Sequence, residues 1–110
     1  MVIEWLTLMV PADWHERFIA ADTAIWTHFL AQQPGYVGKQ IWRNPAKPDE
    51  LTLLIHWQSR QQWKAIAPTA LAAVEQEFRQ NLGRSFDIIA ANEYQPLADG
   101  SISSQRPMAD

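Results

Sequence analysis

The chain has no cysteine, which excludes disulfides, thiolate nucleophiles and zinc–thiolate sites. It has four glycines in 110 residues and no glycine-rich phosphate loop, so nucleotide binding has no motif to rest on. It has no excess of positive charge: the formal charge of −3 leaves no basic footprint for nucleic acid. No apolar run approaches the roughly 20 residues that span a bilayer, so no membrane partner is expected. The three histidines show neither H-E-x-x-H nor H-x-x-E-H spacing, so no metal site is expected. The first residues enter a strand pattern directly, without a basic stretch and cleavage site, and the expected compartment is the cytoplasm. What the chain does have is tryptophan. Six in so short a chain call for a core, an interface or a pocket to hold them.

The length suits one domain. Residues 2–10 are rich in β-formers and set Ile3, Trp5, Thr7 and Met9 against Val2, Glu4, Leu6, Leu8 and Val10. Both sets are largely apolar, so both faces call for cover. Pro11 suits a first helical turn, with Asp13 and Glu16 at its positive end. That helix is expected to run to residue 32 or 33, where Pro34-Gly35 stops it. Residues 36–43 read as a second strand and 44–49 as a Pro-rich hairpin loop. Residues 51–58 read as a third strand, apolar on both sides in its first half. Ser59 and Gln62 have capping-box spacing for a helix over 60–66. Pro68 interrupts it, and a longer helix from about residue 69 carries Leu71, Val74, Phe78 and Leu82 inward to a stop at Gly83. Residues 85–94 alternate as a fourth strand. Residues 1–95 form the expected domain, and the polar stretch 96–110 is expected to be a mobile tail.

The order β-α-β-β-α-β is the split-βαβ, ferredoxin-like pattern: an α+β fold with two helices on one face of a four-stranded antiparallel sheet. The other face, also apolar, is left without cover. A second copy packed sheet to sheet is the simplest cover, so a homodimer is expected.

Pro34-Gly35-Tyr36-x-Gly38, the strand ending Arg43-Asn44-Pro45, the return Pro48-Asp49-Glu50, and Trp57-x-Ser59-x-x-x-Trp63 occur in this order. Together they resemble the antibiotic-biosynthesis-monooxygenase-like branch of the dimeric α/β barrels, and within it a small cyanobacterial group. The resemblance implies the dimer and a pocket between helices and sheet. It also implies a choice among cofactor-independent oxygenases of quinols or anthrones, haem-degrading enzymes, and members without a known reaction. The haem-degrading members use an Asn on the first strand and a His on the second helix. Residues 2–10 hold no Asn and residues 59–82 hold no His, and Glu75 and Gln76 stand near where that His would fall. Haem degradation of that kind is disfavoured, and no cofactor is expected.

Candidate chemistry concentrates on the first helix. At 100° per residue, Trp14, Phe18, Ala21, Ile25 and Phe29 make one apolar stripe, and Ile19, Trp26 and Leu30 make another. His15 and Asp22 lie between them, two turns apart. A carboxylate on an apolar arc needs a partner or a raised pKa. Asp22 is therefore either a general base facing the pocket or a structural acceptor for an indole N–H, an Arg or a backbone group. Trp26 one turn on, with Phe18, would wall a flat, apolar ligand, and Trp5 and His15 are further candidate substrate contacts. His56, at the end of the third strand, is a candidate acid–base group or a hydrogen-bonded strand residue. Glu4 could share a site with Asp22 or pair with Lys39 or Arg43. The reading that follows is a cofactor-independent monooxygenase or isomerase of a small flat aromatic or quinone-like compound. Its alternative is a homodimeric module that binds a small ligand, haem-like ones included, without chemistry.

Overall fold

A computed structural model describes residues 1–100. Four strands form one antiparallel sheet: β1 (Val2–Met9), β2 (Tyr36–Trp42), β3 (Glu50–Trp57) and β4 (Ile88–Tyr94), in the order β2-β3-β1-β4. This is the ferredoxin-like arrangement, α+β, with the helices on one face. The expected tail beyond residue 100 lies outside the described residues.

The sheet register fixes which side chains meet. Val2, Glu4, Leu6 and Leu8 stand opposite Trp57, Ile55, Leu53 and Leu51, and this is the face the helices cover. Leu8, Leu51 and Leu53 form the main core with Val10, Phe18, Ile25, Val74 and Phe78. Ile3, Trp5 and Thr7 stand opposite His56, Leu54 and Thr52 on the other face. A bulge between Tyr36 and Gly38 shifts the β2 register, so that Tyr36, opposite Trp57, and Lys39, opposite Ile55, point to the helix side although three residues apart.

The first helical segment is not one α-helix. A 3₁₀ turn (Ala12–Trp14) leads into α1 (His15–Ala21), a π-helical stretch (Asp22–Thr27), and a last turn α2 (His28–Leu30). The sequence pattern gives no sign of the π stretch. Its consequence is an alignment. Phe18, Asp22, Trp26 and Leu30 are four residues apart, a spacing that drifts about 40° per step on an α-helix of 3.6 residues per turn. The wider turn of a π-helix removes that drift, and all four side chains face one cavity. Ile19, expected on the second stripe, is exposed instead.

The β2 entry depends on Gly35, which sits at φ +87°. A side chain there would be strained and would meet Gln62 Cβ at 2.7 Å. Gln62 is held in place by the cap it belongs to: Ser59 Oγ accepts from its backbone N–H at 3.2 Å and donates to its Oε1 at 3.0 Å. The helix so capped is α3 (Arg60–Lys64). The longer helix α4 (Pro68–Leu82) starts at Pro68 itself, because proline suits the first helical position. It ends at Gly83 in the left-handed conformation, as expected.

Candidate functional site

The helices and the inner face of the sheet enclose a mostly apolar cavity of about 320 Å³, in the size range of small-molecule sites. Leu6, Leu53 and Ile55 form its floor, and Trp26, Trp63 and Phe78 stand in its walls. Four ionisable side chains reach it: Glu4 from β1, Asp22 from the π stretch, Lys39 from β2 and Glu75 from α4.

Asp22 is 1% exposed, and Lys39 Nζ donates to its Oδ2 at 2.5 Å, both side chains being buried. Desolvation pushes the Asp22 pKa above its ordinary 3.8. The Lys39 charge, the Lys39 hydrogen bond and the Thr27 hydroxyl oppose that rise. Glu4 is also raised, from 4.5, chiefly by burial. The Trp57 indole and the Lys64 and Lys39 ammonium groups act against it. Glu75 ties the walls together, accepting from Trp26 Nε1 at 3.2 Å and from Arg79 Nε at 3.0 Å.

Two raised carboxylates give the folded state a greater affinity for protons than the unfolded chain has. Their contribution to stability is therefore highest below the ordinary values of 4.5 and 3.8 and falls as pH rises through the higher folded values. Thermal melts across the acid range should show this decline, and Glu4→Gln should make it shallower.

Of the residues the sequence singles out, Asp22, Trp26 and Phe18 line the cavity. Three others do not. His56 stands opposite Ile3 on the open face of the sheet, with the sheet between it and Asp22. Trp5 is on that face too, edge-on to Trp42 at 5.8 Å and to Tyr94 at 5.5 Å. His15 is buried away from the cavity and donates from Nε2 to the Val10 carbonyl at 2.8 Å, tying the helix start to the end of β1. Alternation assigns His56 and Trp5 to a common face; only the packing of the helices shows that it is the outer one. His28 is exposed and bonded to Gln32, so no histidine lines the cavity. Among the described residues no three His, Asp or Glu side chains cluster as a metal would need.

Lys39, Trp57 and Glu75 line the cavity without having been candidates, and Glu4 lines it as the reading that it shares a site with Asp22 allowed. Lys39 answers the question posed by Asp22, whose partner is neither an indole, an Arg nor a backbone group.

Residues 1–67 match the family model described as antibiotic biosynthesis monooxygenase. No curated protein matches the sequence. Among solved structures, a Bordetella bronchiseptica protein described as an antibiotic biosynthesis monooxygenase superposes with a TM-score of 0.69 at 18% identity, covering 88% of this chain and 97% of its own. A Deinococcus radiodurans protein of the same description gives 0.65 at 17% identity, covering 94% and 99%. A mutant of SnoaB, a cofactor-independent oxygenase from Streptomyces nogalater, gives 0.64 at 17% identity, covering 89% and 94%. These likenesses establish the fold.

Proposed function

The chain belongs to the antibiotic biosynthesis monooxygenase family, and from that premise we propose that it oxidises a small flat aromatic or quinone-like compound with molecular oxygen and no bound cofactor. The observation that carries this reading is the buried Asp22–Lys39 pair on the wall of an apolar cavity. SnoaB, which shares the fold, is a cofactor-independent oxygenase.

The chemistry follows from the pair. Asp22 removes a proton from a phenol or from a C–H made acidic by a neighbouring carbonyl. As Asp22 becomes neutral, Lys39 loses its counter-charge, and the oxyanion forming on the substrate takes that place. The electron-rich carbon reduces O2 and bonds to it, giving a hydroperoxide, and loss of water leaves a carbonyl. One CH2 and one O2 become one C=O and one H2O, and the substrate supplies all four electrons. Trp26 and Phe18 hold the ring system flat and exclude water.

The finer assembly belongs to the same proposal. A second copy covers the open sheet face, where Trp42 is 48% and Tyr94 52% exposed beside Trp5. One observation favours the alternative of binding without chemistry: Asp22 is already satisfied by Lys39. Oxygen uptake with anthrone separates the two. The oxygenase reading expects anthraquinone well above the uncatalysed rate; binding of anthrone without acceleration would make the protein a ligand-holding module.

A further inference from the structure

The cavity has a mouth, and two arginines stand at it. Along β1 the cavity runs from Glu4 to Leu8, which is about 13 Å of strand. Ile88 stands opposite Leu8 and lines the cavity, yet it is 56% exposed. The Leu8 end is therefore open to solvent beside the start of β4. Ser85 and Phe86 line the same end. Arg84, next after the Gly83 stop of α4, lies over the Phe86 ring at 4.4 Å and over the Trp14 ring at 4.9 Å. Arg17, from the first turn of α1, lies over the same Trp14 ring at 3.6 Å. Trp14 in turn meets Phe86 edge to face at 5.6 Å. The two guanidinium groups thus converge on one aromatic pair at the mouth.

Arg60 and Arg79 are each paired with a glutamate. Arg17 and Arg84 differ: among the described residues neither makes an ion pair, and both are stacked on rings instead. Stacking fixes the plane of a guanidinium and leaves its in-plane N–H donors for an acceptor. Two like charges drawn to one spot also repel each other until an anion joins them. We infer that Arg17 and Arg84 bind the carboxylate of an aromatic acid whose ring system fills the cavity. The guanidinium N–H groups donate to the carboxylate oxygens, and Phe86 and Ile88 flank the ring where it enters. The orientation follows from charge. Glu4 is at the other end of the cavity, and its carboxylate would repel an acid placed there. Both arginines are exposed, so the gain in affinity is modest and sensitive to salt. The inference rests on the proposed binding of a flat aromatic in this cavity and adds the charge of the group that stays at its mouth.

The test is calorimetric titration of three probes of one shape: anionic 2-naphthoate, neutral 2-naphthamide and cationic 2-naphthamidine. At low salt the wild type should bind naphthoate at least about fivefold more tightly than naphthamide, and naphthamidine most weakly. Salt at about 0.5 M should bring naphthoate close to naphthamide. Arg17→Gln with Arg84→Gln should bring the two within about twofold and leave naphthamide affinity unchanged. Arg17→Lys with Arg84→Lys keeps both charges and should retain part of the preference. Arginines that only cover Trp14 and Phe86 would leave binding indifferent to ligand charge. Equal binding of naphthoate and naphthamide by the wild type, tighter binding of naphthamidine, or a preference that survives the glutamine pair therefore overturns the arginine site while leaving the cavity as a flat-aromatic site. If the glutamine pair loses naphthamide as well, the wild-type salt series decides: a preference that falls with salt sustains the site, and one that does not overturns it. Failure of all three probes to bind overturns the arginine site and the cavity reading together. The expected preference without turnover of any substrate would sustain the arginine site and remove the oxygenase.

Discussion

Asp22→Asn should melt more than about 10 °C below the wild type and lose the proposed oxygenase turnover, whereas the pair Asp22→Leu with Lys39→Met should regain most of the melting temperature but none of the activity. The argument starts from burial. Both charged side chains are almost entirely out of water and their single mutual hydrogen bond is 2.5 Å long. Removing one member of such a pair strands the other charge and costs about 3–5 kcal/mol. In a chain of this size each kcal/mol moves the midpoint by roughly 4–8 °C. Replacing both members by apolar groups removes the stranded charge, and such replacements are often neutral or stabilising. A purely structural pair would show the same melting pattern. The difference lies in turnover, which the double variant lacks because it has neither a base nor a cation for the oxyanion. Lys39→Met alone should be the milder single change at acid pH. Asp22 already has a raised pKa and becomes neutral by taking a proton, which acid pH favours, whereas a stranded ammonium becomes neutral only by losing one, which acid pH opposes.

Trp42→Glu should convert the proposed dimer to a monomer without unfolding it. The open sheet face carries an aromatic row, Trp42 and Tyr94 on either side of Trp5. Beside it Leu54, on the same face, is 3% exposed. Trp42 is the last residue of β2 and stands opposite Thr52, away from both core clusters, so its replacement leaves the fold intact. In a sheet-to-sheet interface a tryptophan that packs into the seam contributes about 2 kcal/mol or more, a factor of roughly 30 in Kd. A carboxylate in its place would have to be buried without a partner. Sedimentation equilibrium should give twice the chain mass for the wild type and the single mass for the variant, with unchanged far-UV circular dichroism. A wild type that remains monomeric at high micromolar concentration would contradict the assembly.

The fold was legible because local signals agreed with one another. The period-two strands, the Ser59–Gln62 cap, Pro68 and Gly83 each mark an element boundary that the structure keeps, to within a residue or three. The site was legible only in part, for three physical reasons. First, β1 and β3 are apolar on both faces, so alternation groups Trp5 with His56 but cannot say that the helices pack on the opposite side. Second, the bulge in β2 breaks the period that would identify the neighbours of Lys39, and the partner of Asp22 is thereby hidden. Third, the π stretch realigns Phe18, Asp22, Trp26 and Leu30 on one side, whereas 3.6-residue periodicity splits them between two stripes. Asp22 itself stood out because a carboxylate among apolar neighbours contradicts its surroundings. Glu4 carried the same signal on a strand, where pairing with a basic neighbour was an equally simple outcome. The sheet order prevents a cross-strand pair there: β3 lies between β1 and β2.

Turnover of anthrone under oxygen-18 gas tests the central claim most directly. The account predicts anthraquinone whose new carbonyl carries one labelled oxygen, formed by the wild type well above the uncatalysed rate and by the Asp22→Leu/Lys39→Met protein at that rate only. Anthraquinone formed equally fast by both proteins, or formed with no label in the new carbonyl, would contradict it.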